Sequence, residues 1–294
     1  MARLQRLLAA TDLSAPARHA AERAASVARA SGAALDLVHV GAVSLVAELG
    51  RLVPGLPADI PARIREQEQM QVDALAASLQ ERYGVTARTQ VVKGPLPQAL
   101  EEAASAGAAD LLVLGARGRS MLRHLVLGST AERLVGSFSR PLLVVKRAPA
   151  TDYRCVLVPV DFSPSSLEAL QLAHAVAPDA RVVLLHAYEA PFEGKLLVAG
   201  VEDRHLEDYR SGARSEAQHR MTALCEQSGV PAEKITTVLA HGAASLRILE
   251  QEQDRDCDLI VIGRQGQSRV DDLLLGSVSR RVLVDAESDV LVLP

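Results

Sequence analysis

Short, mostly apolar segments alternate along this chain with longer stretches in which apolar positions recur every three or four residues. The runs fall near residues 4–10, 34–40, 86–92, 111–114 and 142–145, and again near 155–160, 182–187, 235–240, 259–262 and 290–293. These are strand lengths, and the helical spacing between them predicts successive βαβ units with parallel strands. The segments Asp-Leu-Leu-Val-Leu from Asp110 and Asp-Leu-Ile-Val-Ile from Asp258 show no polar alternation, as expected of central strands covered by helices on both faces. Ser14, and Ser163 followed by Pro164, read as helix N-caps. Between the second and third strands of each half lies a long polar stretch, residues 41–84 and 188–229, read as a loop or lid leading into a long helix.

The pattern occurs twice because the chain is a tandem duplication. Gly115-x2-Gly118-x9-Gly128-Ser129 reappears as Gly263-x2-Gly266-x9-Gly276-Ser277. Gly94 and Gly242, and Asp110 and Asp258, are likewise 148 positions apart, whereas Asp12 and Asp161 are separated by 149 and His39 and His186 by 147. A register kept through many segments and shifted only by single residues describes a whole domain copied, and the period is too long for a solenoid repeat. The 294 residues therefore divide into domains 1–147 and 153–294, joined by a short linker.

Composition narrows the function classes. The chain is 48% hydrophobic and 23% charged with a net charge of −4, so it has no basic field for a nucleic-acid backbone. Aromatics make up 2% of residues and tryptophan is absent, which leaves few stacking platforms for single-stranded bases. No run of 18 apolar residues suggests a membrane span, and Thr11-Asp12 cuts the N-terminal apolar run too early for a signal peptide. Cys155, Cys225 and Cys257 share no metal-ligand spacing and fit reduced, mostly buried cytoplasmic thiols, with a redox role as the alternative. The eight histidines form no zinc pattern either. His39 and His186 end buried strands and are expected to be structural.

In an open parallel sheet, ligands bind beyond the carboxyl ends of the strands. The repeated residues gather there. Asp12 and Asp161 end the first strand of each half, and Gly115 and Gly263 end the fourth. Gly118 and Gly266 allow close backbone approach to a phosphate, while Gly128-Ser129 and Gly276-Ser277 open a helix whose free N–H groups and dipole attract an anion. The alternative is that the glycines only make turns and the aspartates only cap them. A carboxylate in that place is also suited to a ligand or Mg2+. No G-x-x-x-x-G-K-[ST] or G-x-G-x-x-G is present.

The G-x2-G-x9-G-[ST] loop after an Asp-Leu-[LI]-Val strand, with an early Asp-x-Ser and a strand ending in His, resembles the universal stress protein family over essentially the whole of both halves. The resemblance implies two Rossmann-like α/β domains of the adenine nucleotide alpha hydrolase-like type, each an open five-stranded parallel sheet of order 3-2-1-4-5. It also implies pairing of the two through their last strands, an internal pseudo-dimer, with a homodimer of chains as a further option. Asp12 and Asp161 match the family aspartate near adenine and ribose, and Val40 and Ala187 the position lining the base. Gly115, Gly118, Gly128, Ser129 and Thr130 match the ribose and phosphate elements, as do Gly263, Gly266, Gly276, Ser277 and Val278 in the second half.

Two departures from the family pattern bear on which half binds better. Ala187 is smaller than the usual apolar residue, and Asp271-Asp272 places carboxylates in the second phosphate loop, whereas Arg117, Arg119, Arg123 and His124 make the first one basic. The second half nevertheless matches the ATP-binding subgroup more closely, in Pro-Val-Asp161 and Gly-Ser277-Val278. The resemblance thus implies a cytoplasmic, non-enzymatic binder of ATP or a related adenine nucleotide, with or without Mg2+, acting as a nucleotide-dependent regulator in the stress response. The alternatives are a slow ATPase or self-phosphorylating protein with Ser129 or Ser277 as acceptor, and a nucleotide-free module for protein interaction.

Overall fold

The computed structural model describes residues 4–41, 59–118, 127–188, 203–266 and 275–294, with side chains of the fourth segment from residue 211. The chain forms two compact units. One runs to Asp152 and takes in Asp289–Val292, and the other is chiefly Tyr153–Ser288.

The first unit contains β1 (Arg6–Thr11), α1 (Ala15–Ser31), β2 (Ala34–Val40), α2 (Ile60–Tyr83), β3 (Ala87–Val92), α3 (Leu96–Ala106), β4 (Leu111–Gly115), α4 (Ser129–Ser137) and β5 (Leu142–Val145). The remaining elements are β6 (Cys155–Pro159), α5 (Pro164–Val176), β7 (Arg181–Tyr188), α6 (Asp203–Ser228), β8 (Ile235–His241), α7 (Ala244–Asp254), β9 (Leu259–Gly263), α8 (Ser277–Asp285) and β10 (Asp289–Leu293). The first unit has the strand order β3-β2-β1-β4-β5 with every neighbour parallel. The second repeats this as β8-β7-β6-β9, again parallel. Its last strand, β10, is grouped with the first unit, where it runs antiparallel to β5 with Val290 opposite Val144 and Val292 opposite Leu142.

Burial follows the patterning. Leu111, Leu112 and Val113 in β4, and Leu259, Ile260 and Val261 in β9, are fully inaccessible, as residues covered on both faces must be. No residue of β3 or β8 is fully buried, because each is an outer strand of its unit. The buried face of α1 is nearly all alanine (Ala17, Ala20, Ala21, Ala24, Ala25, Ala28), which lets the helix lie close against β1 and β4. Ser14 caps α1 through its hydroxyl, and Gly32 ends it at φ +71°, a backbone that favours glycine. The expected cap at Ser163 is only half correct. Its backbone has the N-cap conformation, but the side chain makes no cap bond because its hydroxyl pairs with Ser165 Oγ at 2.9 Å.

Carboxylates fix the amino ends of the strands. Asp110 Oδ2 accepts the N–H groups of Gln5 (2.7 Å) and Arg6 (2.9 Å), and Asp258 accepts those of Arg154 (2.9 Å) and Cys155 (3.1 Å). Each clamps the start of the neighbouring central strand through charge-assisted bonds. At the start of β10, Asp289 Oδ1 accepts Lys146 N–H at 2.8 Å while Oδ2 lies 3.2 Å from Arg23 Nε, with both side chains buried. Replacing Asp289 by Ala removes the carboxylate that faces the buried Arg23 guanidinium and accepts Lys146 N–H, and is expected to destabilise the first unit by about 3–5 kcal/mol. Asp258→Ala, which strips a partly exposed clamp, should cost less, about 1–3 kcal/mol. Urea unfolding of the two variants checks the order, and equal losses would contradict it.

Candidate functional site

At the carboxyl end of the strands, each unit turns from its first strand into its first helix through one strained residue. Leu13 has φ +65° and Phe162 has φ +64°, a left-handed conformation that costs a branched or bulky residue roughly 1 kcal/mol or more. The preceding aspartate holds it. Asp12 Oδ1 accepts Ser14 N–H at 3.0 Å, and Asp161 Oδ1 accepts Ser163 N–H at 2.9 Å. The turn-capping role is therefore real, and it occupies one oxygen of each carboxylate. The other oxygen faces the glycine loop: a Cβ on Gly118 would lie 2.8 Å from Asp12 Oδ2, and one on Gly266 would lie 2.9 Å from Asp161 Oδ2. A side chain at either glycine would have to push the adjacent carboxylate aside. Gly115 is equally confined, by the carbonyls of Pro16 and Arg117 at 3.0 and 3.1 Å.

Around each carboxylate a cavity opens. The first, about 300 Å³, is lined by Asp12, Val40, Gly115, Gly118, Gly128, Ser129 and Thr130 together. The second, about 280 Å³, is lined by Asp161, Ala187, Gly263, Gly266, Gly276, Ser277 and Val278. All fourteen residues singled out in the sequence thus fall on two equivalent cavities, seven to each. Among the charged loop residues Arg117 lines the first cavity, whereas Arg119, Arg123, His124, Asp271 and Asp272 lie outside the described residues.

The cavities also show what patterning overlooked. Leu96 and Leu100 of α3 line the first, and Ala244 and Ile248 of α7 line the second. Each pair is spaced i, i+4 and repeats at the same 148-residue offset as the glycines, a signal present in the sequence. Together with Val40 or Ala187 they make an apolar wall. On the same cavities, α4 and α8 begin with glycine at the N-cap, so no cap side chain satisfies the first-turn N–H groups. Each site therefore combines an apolar slot, a carboxylate and the positive end of a helix dipole. The two differ in polarity. Ser166 Oγ donates to Asp161 Oδ1 at 3.1 Å and Ser279 Oγ to the Gly263 carbonyl at 2.7 Å, where the first unit has Ala17 and Ala131.

A match to the family model described as the universal stress protein family extends over residues 3–146 and again over 152–294. The chain belongs to the universal stress protein family. It is 27% identical over 290 residues to a universal stress protein of Mycolicibacterium smegmatis, covering 97% of this chain and 96% of that one. A universal stress protein of Methanocaldococcus jannaschii is 32% identical over 143 residues, 48% of this chain and 81% of its own length. The fold is shared with the crystal structure of a universal stress protein from Archaeoglobus fulgidus, at a TM-score of 0.71, 19% identity, and coverage of 98% and 97% of the two chains. Among the described residues no helix is long and apolar enough to cross a membrane, and no group of three or more His, Cys, Asp and Glu side chains is placed to hold a metal ion.

The strand-ending histidines of this tandem universal stress protein tie strand to strand. His39 Nδ1 lies 2.7 Å from the Thr11 carbonyl and His186 Nδ1 2.8 Å from that of Val160, so in each ring Nδ1 carries the proton and donates. Burial, assisted by the Arg220 charge, lowers the His186 pKa below its ordinary value of 6.5. Burial and the Lys234 charge lower that of His174. Because the folded values lie below the unfolded ones, the unfolded chain takes up protons first. The stability these rings support is complete above about pH 6.5 and is lost as pH falls through their folded pKa values. The thermal midpoint of the second unit should therefore drop between pH 7.5 and 5.5, with part of the drop removed in His186→Gln. A pH-independent midpoint would be the contrary result.

Proposed function

We propose that each universal stress domain binds an adenine nucleotide, ATP foremost, and that the protein works in the cytoplasm as a nucleotide-dependent regulator of the stress response. One observation carries this reading: in both units apolar side chains, a strand-end carboxylate and an uncapped helix N-terminus line the same cavity. A flat base suits the wall formed by Val40, Leu96 and Leu100, or by Ala187, Ala244 and Ile248. Phosphates suit the amide groups at Ser129 and Thr130, or at Ser277 and Val278. The carboxylates of Asp12 and Asp161 line the same cavities and suit ribose hydroxyls or Mg2+ carried by the nucleotide. The cavities sit at the small end of ligand-pocket volumes, which favours one nucleotide over a larger cofactor.

A second reading rests on the exposed hydroxyls of Ser129 and Ser277, each the first residue of its helix at the anion end of a cavity. Either serine would serve as acceptor for a transferred phosphoryl group in a slow ATPase or self-phosphorylating protein. ADP release and a phosphoserine at position 129 or 277 after incubation with ATP identify that case. Binding without either identifies the regulator.

The test begins with mass spectrometry of any ligand released on denaturing purified protein, followed by calorimetry with ATP. Gly118→Val and Gly266→Val should each displace the facing carboxylate and weaken one site about tenfold or more, ~1.4 kcal/mol. The untouched unit of each single variant serves as the control. The two sites are expected to be unequal, the second tighter, because Ser166 holds Asp161 in place. A folded double variant that binds ATP as the parent does refutes the site, and no ATP binding by the parent leaves the nucleotide-free interaction module.

A further inference from the structure

At the opposite end of the second unit, two thiols meet. Cys155 begins β6 and Cys257 lies two residues before β9, and their sulfur atoms are 3.0 Å apart although 102 positions separate them in the chain. That distance is only about 1 Å longer than a disulfide bond of ~2.05 Å. Both are buried, at 1% and 6% exposure. Backbone bonds fix each sulfur's carrier: Asp258 N–H donates to the Cys155 carbonyl at 3.0 Å, and Cys257 N–H to the Glu252 carbonyl at 2.9 Å.

The fold does not need sulfur here. In the first unit Asp110 makes the same clamp as Asp258, and the positions equivalent to Cys155 and Cys257 are Arg6 and Ala109. The two thiols are also unlike. The hydrogen bond from Cys257, helped by the Arg181 charge and opposed by burial, holds the Cys155 thiol below its ordinary range, whereas the same bond and burial push Cys257 up. Arg181 is the β7 residue in register with Cys155. It lines a cavity of about 330 Å³ with Asp256, the residue before Cys257, so solvent reaches the immediate neighbours of both thiols.

We propose that Cys155 and Cys257 form an oxidisable dithiol whose oxidant is a small hydroperoxide and whose product is an intrachain disulfide. The Cys155 thiolate attacks the terminal oxygen of ROOH. An S–O bond forms, the O–O bond breaks, and the leaving alkoxide takes a proton to become ROH. The Cys257 sulfur then attacks the sulfenic sulfur. The S–S bond forms, the S–O bond breaks, and hydroxide leaves as water with the Cys257 proton. Two thiols and one hydroperoxide thus give one disulfide, one alcohol and one water, and the oxidant receives both electrons. This site is separate from the nucleotide cavity and does not depend on its assignment.

The experiment uses the full-length chain carrying Cys225→Ala, which removes the half-buried third thiol. After hydrogen peroxide under native conditions, both alkylatable thiols should disappear, the intact mass should fall by two hydrogen atoms, and a non-reducing digest should contain a Cys155–Cys257 linked peptide that dithiothreitol separates. Adding Cys257→Ala, the residue found at the equivalent place in the first unit, should keep the circular dichroism spectrum and trap a dimedone adduct on Cys155. Two thiols surviving peroxide, a linkage formed only in denaturant, or Cys155 passing to sulfinic acid without cross-linking would each overturn the proposal.

Discussion

One carboxylate per unit organises the ligand end of this protein. At the end of the central strand, Asp12 or Asp161 uses one oxygen to hold the next residue but one, which sets a left-handed kink at Leu13 or Phe162 and so aims the following helix. Its second oxygen sits where any side chain on Gly118 or Gly266 would collide. The turn into the helix and the approach of the glycine therefore meet at one side chain. The strain at the kink is tolerated because the hydrogen bond offsets it locally, and because the buried sheet behind it leaves the chain no alternative route.

On this shared frame the two cavities have diverged in lining rather than in shape. The first is walled by leucine and alanine with Arg117 at its mouth, and the second carries serines that bond to the carboxylate and to the end of β9. A hydroxyl that fixes a carboxylate lowers its freedom, while a cation raises the local attraction for phosphate by field alone. The units thus differ in what surrounds the carboxylate: serine hydroxyls in the second, and an arginine in the first.

Much of this was legible in the chain. The apolar runs marked the strands to within two residues at each end, most plainly in β4 and β9, whose burial on both faces leaves no polar position to confuse the period. Duplication separated kept residues from incidental ones. It could not say why they were kept: Asp110 and Asp258 recur because they clamp strand starts, while Gly118 and Gly266 recur because a carboxylate lies against them. Both kinds of constraint leave the same mark on a sequence. The proximity of Cys155 and Cys257 was invisible because it depends on which strands become neighbours, and the serine pairing that takes Ser163 away from its helix depends on a rotamer. The grouping of β10 with the first unit was equally beyond local pattern, being set by ladder partners far away in sequence.

That grouping bears on how the molecule is made. Val144 and Val290 face one another although they are 146 positions apart in the chain. During synthesis β5 emerges with its outer edge unpaired, and it stays so while the ribosome adds the whole of the following unit. At about 5–20 residues per second this is an interval of roughly 7–30 seconds. Over that time an apolar edge strand is a template for any other nascent chain. The β5 ladder thus waits for a strand that is made only after the whole of the second unit.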